Sequence, residues 1–363
     1  MTGLLRRREM MAQSTDEIII DARGGDANAV ALMSVISAQG WSKNPDYMTK
    51  AEAEAVMDIG DAFKRIGDGT SGVSFKEFKY FTGLTEVPSS AFADSYRLVA
   101  IELPPQITKL RDKAFYYCSS LKEIVIPEGV ESLGNGCFQL ALNLSSISLP
   151  STIHAIPGNT FYQCPKLATI DLTHIVSLEG LAFGHNTFTS FHIPIHITSI
   201  ADGFLGPQSN LETLSVDTDH PTCTCIDNCI IKGSRLIAAA NSAVIPEGIS
   251  DLVTYSLHSR KFETKKLVIP SSVKVIRSYA IMQTDLKVIE FPETSITLYN
   301  GAVWDNHSLE TIICHSVTPY SNMYSNTAVT SVYVPDESVD AYKEVWSSYS
   351  DKIKPISTMP QEG

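Results

Sequence analysis

An apolar-x-apolar-Pro landmark recurs through this chain and sets what it can fold into. It reads Glu102-Leu103-Pro104, Val125-Ile126-Pro127, Ser148-Leu149-Pro150, His192-Ile193-Pro194, Val244-Ile245-Pro246, Val268-Ile269-Pro270, Glu290-Phe291-Pro292 and Tyr333-Val334-Pro335. Weaker copies stand at Asp171-Leu172-Thr173, Ser215-Val216-Asp217 and Cys314-His315. The first spacings are 23, 23, 23, 21 and 23 residues. A period in this range means a solenoid, because one short unit cannot bury its apolar side alone and stacked units can.

Three further columns keep the same register. Twelve residues before each early proline lies an aromatic: Phe92, Phe115 and Phe138, with Phe161 at the same offset from Thr173. Phe183 and Phe204 continue it, and a small residue precedes each (Ala91, Ala114, Cys137, Thr160, Ala182, Gly203). An aliphatic column holds Leu98, Leu121, Leu144, Leu167, Leu211, Leu286 and Leu309. Another holds Ile101, Ile124, Ile147, Ile170, Leu214, Leu267, Ile289, Ile312 and Val332. Leu121–Ile126 alternates and is bounded by proline, which lacks the ladder N–H, so it predicts a short strand. Val130–Leu133 predicts a second extended piece. The aromatic anchors the opposite wall.

The unit Ile-Pro-x-x-Val-x-x-Ile-x-x-x-Ala-Phe-x-x-Cys-x-x-Leu-x-x-Ile resembles the BspA-like leucine-rich-repeat family. Its best copies are Arg111–Ile124 and Asn159–Leu167, and the resemblance covers about residues 82 to 356. It implies a family of bacterial and parasite surface proteins that bind host proteins or other cells, with no catalytic motif to transfer.

The expected fold is α+β or mainly β: a leucine-rich-repeat solenoid of about ten coils over residues 81–356, with a small helical N-terminal cap over 1–80. Residues 1–15 are expected to be disordered. Ile18-Ile19-Ile20 predicts a strand, and Asp26 caps a helix running to Ala38 before Gly40. Thr49 and Glu52 form a capping box ahead of Val56, Ile59, Phe63 and Ile66, a helical spacing. Ser74 and Glu77 form another ahead of Phe78 and Phe81. Residues 217–242 read as a hairpin inserted between coils. The 251–265 unit has Leu257-His258 in place of its aromatic. A terminal helix at about 336–350 puts Val339, Tyr342, Trp346 and Tyr349 on one face, shielding the last coil.

Composition narrows the function. With 40 acidic and 28 basic residues the net charge is −12, which argues against nucleic acid as a partner and against docking to anionic lipid. No run of 18 apolar residues exists, so no membrane insertion is expected. The N-terminus has the charge of a signal peptide without its apolar region, so export by the general secretory route is not expected. Seven cysteines without a short disulfide pattern read as reduced and structural. Cys118, Cys137 and Cys164 fall at core positions, where a thiol behaves as a small hydrophobe.

Several chemical readings fail on spacing. Gly67–Phe78 resembles the exit of a calcium loop, but aligning Glu77 to the last ligand puts Ile66 first, where an acidic ligand is needed, and Ser71 where the turn wants glycine. His220, Cys223, Cys225 and Cys229 are zinc-ligand types, but Cys-x-Cys-x3-Cys on a hairpin is not a finger spacing. No metal or other cofactor is expected. His192 and His196 flank Pro194 and read as surface histidines. Asp21–Asp26 lacks the glycine pattern of a nucleotide site. No hydrolase elbow, phosphate loop or zinc-protease helix occurs. An enzyme is not expected.

What remains is recognition. Residues between buried strand positions point outward. One such column reads Glu102, Val125, Ser148, Asp171, His192, Ser215, Val268, Glu290, Ile313, Tyr333; its neighbour reads Ala100, Glu123, Ser146, Thr169, Ser190, Thr213, Lys266, Val288, Thr311, Ser331. The polar middle (Glu123, Ser146, Ser148, Thr169, Asp171, Ser190, His192, Thr213, Ser215) is the candidate binding face for a protein or glycan partner. The alternative is a structural part of a larger assembly, such as a phage-like or surface appendage. Oligomeric state is left open, as is location: the resemblance implies a cell surface, and no export signal is visible.

Overall fold

The computed structural model describes residues 17–67, 72–321, 323, 326 and 328–360. Two compact units emerge, Met1–Ile175 and Val176–Gly363. Each is a mainly β leucine-rich-repeat solenoid with few, short helices. The segment expected to be disordered, 1–15, lies outside the described residues.

Each coil of the first unit has three sides. Outer strands pair in parallel: Val73–Phe75 with Leu98–Ile101, and Glu123–Val125 with Ser146–Ser148. Two-residue strands form the second side, Glu86–Val87, Lys109–Leu110 and Ser132–Leu133. The aromatic column forms the third. Phe63, Phe92, Phe115, Phe138 and Phe161 stack nearly parallel, with successive centroids 5.5, 5.2, 5.5 and 5.8 Å apart. Backbone bonds tie three of these aromatics to the small residue of the next coil: Phe92 N to Ala114 O and Phe115 N to Cys137 O at 2.9 Å, and Phe138 N to Thr160 O at 3.0 Å.

Two regularities of this aromatic turn were not read from the sequence. Residues two before and two after the phenylalanine adopt left-handed backbone: Ser90 and Asp94, Lys113 and Tyr117, Gly136 and Leu140, Asn159 and Gln163, all between 55° and 64° in φ. Only Gly136 takes this conformation without steric cost. The second regularity is a donor column three residues past the aromatic. Ser95 Oγ donates to Phe63 O at 3.0 Å, and the thiols of Cys118 and Cys164 donate to Phe92 O and Phe138 O at 3.1 Å. These cysteines are therefore more than filler. They satisfy carbonyls that the tight turn leaves buried. Burial pushes the Cys164 thiol up to about 12, so it stays protonated as a donor.

The N-terminal segment differs from expectation in an informative way. Asp26 accepts from Ala29 N at 2.8 Å and starts the helix Ala27–Ala38, which buries Leu32, Met33 and Ile36. Ile18–Asp21 pairs antiparallel with Tyr47–Thr49. The Thr49/Glu52 capping box forms, but its helix stops at Glu54. Val56, Ile59, Phe63 and Ile66 are all buried outside any helix instead, with Gly60 and Arg65 at positive φ. The helical spacing concealed a coil. Phe63 is the first ring of the stack, and Val73–Phe75 is the first outer strand. The solenoid thus starts before residue 81. Ser74 makes no cap: it exchanges backbone bonds with the Asn28 side chain at 2.6 and 2.9 Å, docking the helix on this coil. Lys76–Tyr80 is a 3-10 helix without a side-chain cap. Residues 68–71 of the calcium-like loop lie outside the described residues. Trp41 packs on Phe63 and Phe81, covering the end of the stack.

In the second unit, Ser190–Ile193 pairs in parallel with Thr213–Val216. A five-stranded parallel ladder follows: Lys266–Val268, Val288–Phe291, Thr311–Cys314, Ser331–Val334 and Ile353–Pro355. Residues 217–242 hold three strands, not one hairpin. Thr224–Ile226, Cys229–Lys232 and Arg235–Ala239 run antiparallel, and the last joins Asp251–Leu252 in parallel. Asp227 and Asn228, at φ 49° and 60°, make the first turn. The meander is part of a coil, because Ala239 N bonds Ser256 O as an aromatic would.

Leu257, Ile281 and Val303 take the aromatic place in the following coils, with Tyr255 and Ser259, Tyr279 and Gln283, Gly301 and Asp305 as left-handed flanks. The donor column continues through Gln208 to Phe183 O, Asn306 to Ile281 O and Asn326 to Val303 O. After Leu257 the donor is Arg260. The chain closes on the helix Val339–Val345 and the 3-10 turn Ser347–Tyr349, burying Tyr342, Trp346 and Tyr349. Trp346 Nε1 donates to Tyr320 O at 3.1 Å and Tyr342 OH to Ser316 O at 3.0 Å, so these rings cap open carbonyls as well as apolar surface.

His258, whose carbonyl accepts from Arg260, is 3 % exposed. Burial, then His185 and Arg260, push its pKa down to about 3 from the usual 6.5, and Asp305 opposes weakly. The native state therefore refuses a proton that the unfolded chain accepts below about pH 6.5. Stability from this group is full above that value and falls as pH drops toward 3, by up to about 1.4 kcal/mol per pH unit. Urea melts from pH 7 to 4 are expected to show this slope, reduced in His258→Gln. An equal slope in the variant would assign acid sensitivity elsewhere.

Candidate functional site

The outward face follows from strand alternation. Ile124 is buried while Glu123 and Val125 are exposed, and Ser146 and Ser148 stand opposite them in register. Val125 is 70 % exposed. These residues line a trough of about 660 Å³ with Lys76, Lys79, Ala100 and Glu102. Lys79 Nζ bonds Glu102 Oε2 at 2.7 Å, and this bond raises the lysine's pKa. The trough offers an apolar floor at Ala100 and Val125, free hydroxyls, and charges of both signs. That mixture suits an extended polypeptide better than a uniformly charged ligand.

Thr169 and Asp171 are exposed, but no strand forms there. Asp171 Oδ1 accepts from Thr173 N at 2.9 Å and from Thr173 Oγ1 at 2.5 Å, and these bonds hold its carboxyl below the usual range. The carboxylate is spent on its own turn and is a poorer contact than its column suggested.

In the second unit Ser190, His192, Thr213 and Ser215 are exposed and paired across the two strands. His192 Nδ1 lies 2.8 Å from Ser215 Oγ, and its Nε2 lies 3.1 Å from Asp217 Oδ1. The residue types are those of a hydrolase triad, but their setting is not. The imidazole is half-exposed on an open sheet. The nearby amides are engaged: Thr213 with Thr189 O, Leu214 with Asn228 Oδ1 and Asp217 with Ile193 O. These engaged amides are not available as oxyanion donors, the groups that supply most of the rate in such a triad. The group is a cross-strand polar clamp. Asp217 Oδ2 also accepts from Ile195 N at 2.8 Å, fixing the exit of the strand.

Toward the C-terminus the outward column changes character. Lys266 and His315 both pair with Glu290, at 2.8 and 2.7 Å. Burial pushes the Glu290 carboxyl up, but these hydrogen bonds outweigh it and the net shift is down. Ile313 and Tyr333, expected outside, are buried at 5 % and 7 % exposure, and the Lys354 ammonium lies 5.9 Å from the Tyr333 ring.

Of the zinc-type residues only His220 and Cys223 meet, with Cys223 Sγ 3.3 Å from His220 Nδ1. His220 Nε2 lies 2.9 Å from Ile197 O, and its Nδ1 accepts from Cys223 N at 3.2 Å. The thiols of Cys225 and Cys229 donate to Leu214 O and Val244 O. No group of three metal-ligating side chains occurs among the described residues. No helix among them is long and apolar enough to cross a membrane.

The BspA type leucine rich repeat region matches in six copies, over residues 85–212 and 237–354. No curated protein matches the chain. Among solved structures, a leucine rich cell surface protein from Faecalibacterium prausnitzii superposes with a TM-score of 0.51 at 19% identity, covering 76% of each chain. The pneumococcal vaccine antigen PcpA gives 0.48 at 14% identity, covering 86% of this chain and 85% of that one. A leucine-rich repeat protein from Eubacterium ventriosum gives 0.49 at 18% identity, covering 81% and 72%.

Proposed function

We propose, from the premise that this chain belongs to the BspA-type leucine-rich-repeat family, that it is a non-catalytic recognition protein. It binds a protein partner through its outward strand face, displayed at a cell surface. The observation that carries this reading is the trough over Glu123, Val125, Ser146 and Ser148. A solenoid gathers equivalent positions of neighbouring coils into one surface without disturbing its core, and here that surface is concave and mixed in chemistry. Its exposed valine, hydroxyls and charges give a partner both apolar and polar contacts, the mixture that interfaces use.

The test is an array of extracellular-matrix proteins, serum proteins and glycans probed with the purified chain. Any protein partner is then measured against Ser146→Arg/Ser148→Arg. Two arginines would fill the trough, and affinity is expected to fall about tenfold or more with an unchanged melting temperature, since both side chains lie outside the core. Full affinity in the double variant would sink the choice of face. A partner lost only on deleting 221–233 would move the site to the meander.

A further inference from the structure

We propose that the second unit carries a recess for one neutral hexopyranose ring, between Tyr279, Gly301 and Trp304, distinct from the outward strand face and independent of the reading above. It arises from two repeat columns. Tyr255, Tyr279 and Gly301 occupy the same left-handed position in successive coils, at φ 65°, 61° and 70°. The first two rings stack, 6.0 Å apart and 13° from parallel, which fixes Tyr279 from one side. On the other side the next coil supplies glycine. A Cβ there would lie 2.9 Å from Tyr279 Cε1 and 3.2 Å from Cδ1, so the recess exists only because that position has no side chain. Trp304, one residue past Val303, makes the second wall, 6.3 Å from Tyr279 at 48° and 43 % exposed. With the exposed Asn300 the recess holds about 230 Å³.

The chemistry selects the ligand. A pyranose has a face of C–H groups, apolar and weakly positive, and a rim of hydroxyls. Aromatic faces carry the negative lobe of the ring quadrupole and attract such C–H groups. The Asn300 amide offers two donors and an acceptor, the set a pair of neighbouring hydroxyls needs. None of the four lining residues is charged, which disfavours an anion. A quaternary ammonium is held by cation–π contact inside a cage of aromatic faces, whereas only two rings, Tyr279 and Trp304, wall this recess. A proline-rich peptide needs a longer groove than these four residues make.

The experiment uses the full chain, labelled with nitrogen-15, and follows the three tryptophan indole signals during titration with maltose, cellobiose, lactose and N,N′-diacetylchitobiose. Trp304 is assigned by the signal missing in Trp304→Phe. At least one sugar is expected to shift the Trp304 signal saturably while Trp41 and Trp346 stay still. Asn300→Ala should weaken that sugar about tenfold. Trp304→Ala, read by saturation transfer to the sugar, should abolish binding without changing the melting temperature. The proposal is overturned if none of the four sugars moves Trp304, or if binding survives both substitutions. It is equally overturned if a trimethyllysine peptide or a proline-rich peptide shifts Trp304 and the sugars do not.

Discussion

Arg260→Met is expected to destabilise the second unit by about 3–5 kcal/mol. Arg260 is 1 % exposed, and no carboxylate pairs with it among the described residues. Its guanidinium donates instead to the carbonyls of Ala239, Gln208, His258 and Gly206. Two effects compete. Burial without a counter-ion is costly, and it pushes the arginine pKa down to about 9. Removing the cation relieves that cost, which amounts to several kcal/mol for a buried ion. Against this, three or four buried carbonyls lose their partner at about 1–3 kcal/mol each. The second effect wins because several carbonyls lose their donor at once, and three of them, those of Gly206, Gln208 and His258, lie outside any strand, with Ala239 at the end of the last meander strand. Arg260→Lys is the control. A single ammonium keeps the charge but cannot reach carbonyls that diverge as these do, so it should be no better than methionine. Equilibrium urea melts decide, and an unchanged midpoint in Arg260→Met would mean that water replaces the side chain.

Phe115→Ala is expected to cost about 3–5 kcal/mol. The ring is fully buried between Phe92 at 5.2 Å and Phe138 at 5.5 Å, so its loss opens a cavity that neither neighbour can fill. Phe115→Leu should cost only about 1–2 kcal/mol, within the range of an apolar swap that leaves some volume unfilled. The chain itself supports the smaller figure, because Leu257, Ile281 and Val303 serve the same place in later coils. Melting of the two variants separates burial from stacking. Equal loss in both would mean that ring stacking, rather than apolar burial, holds the column together.

The columns were legible because each is a spacing, and spacing survives substitution among apolar types. The donor column was not, although it has a spacing too. Ser95, Cys118, Gln208, Arg260 and Asn306 share a role and nothing in composition, so only the carbonyl they reach identifies them. The left-handed flanks were silent for the same reason: Lys113, Tyr117 and Leu140 are not residues that announce positive φ, and coil-to-coil bonds impose it on them. The first coil was hidden by coincidence. Val56, Ile59, Phe63 and Ile66 fit a helix as well as a coil, and tertiary stacking on Phe92 overrode the local preference. On the binding face, alternation placed Glu123, Ser146 and Ser148 outside. It could not show that Asp171 would turn onto Thr173, since that bond is local and off the strand. The sugar recess was invisible because its defining residue, Gly301, acts by what it lacks.

Photo-crosslinking from the outward face tests the recognition account most directly. A benzophenone amino acid at Val125 places the reactive group in the middle of the trough, at a side chain already 70 % exposed. The same group at Glu337, an exposed residue of the 3-10 turn Asp336–Ser338 that is not part of the strand face, serves as the control. With the protein partner bound, irradiation is expected to give a covalent adduct from position 125 and none from position 337. An adduct from 337 alone, with 125 unreacted while the partner remains bound, would contradict recognition through the strand face.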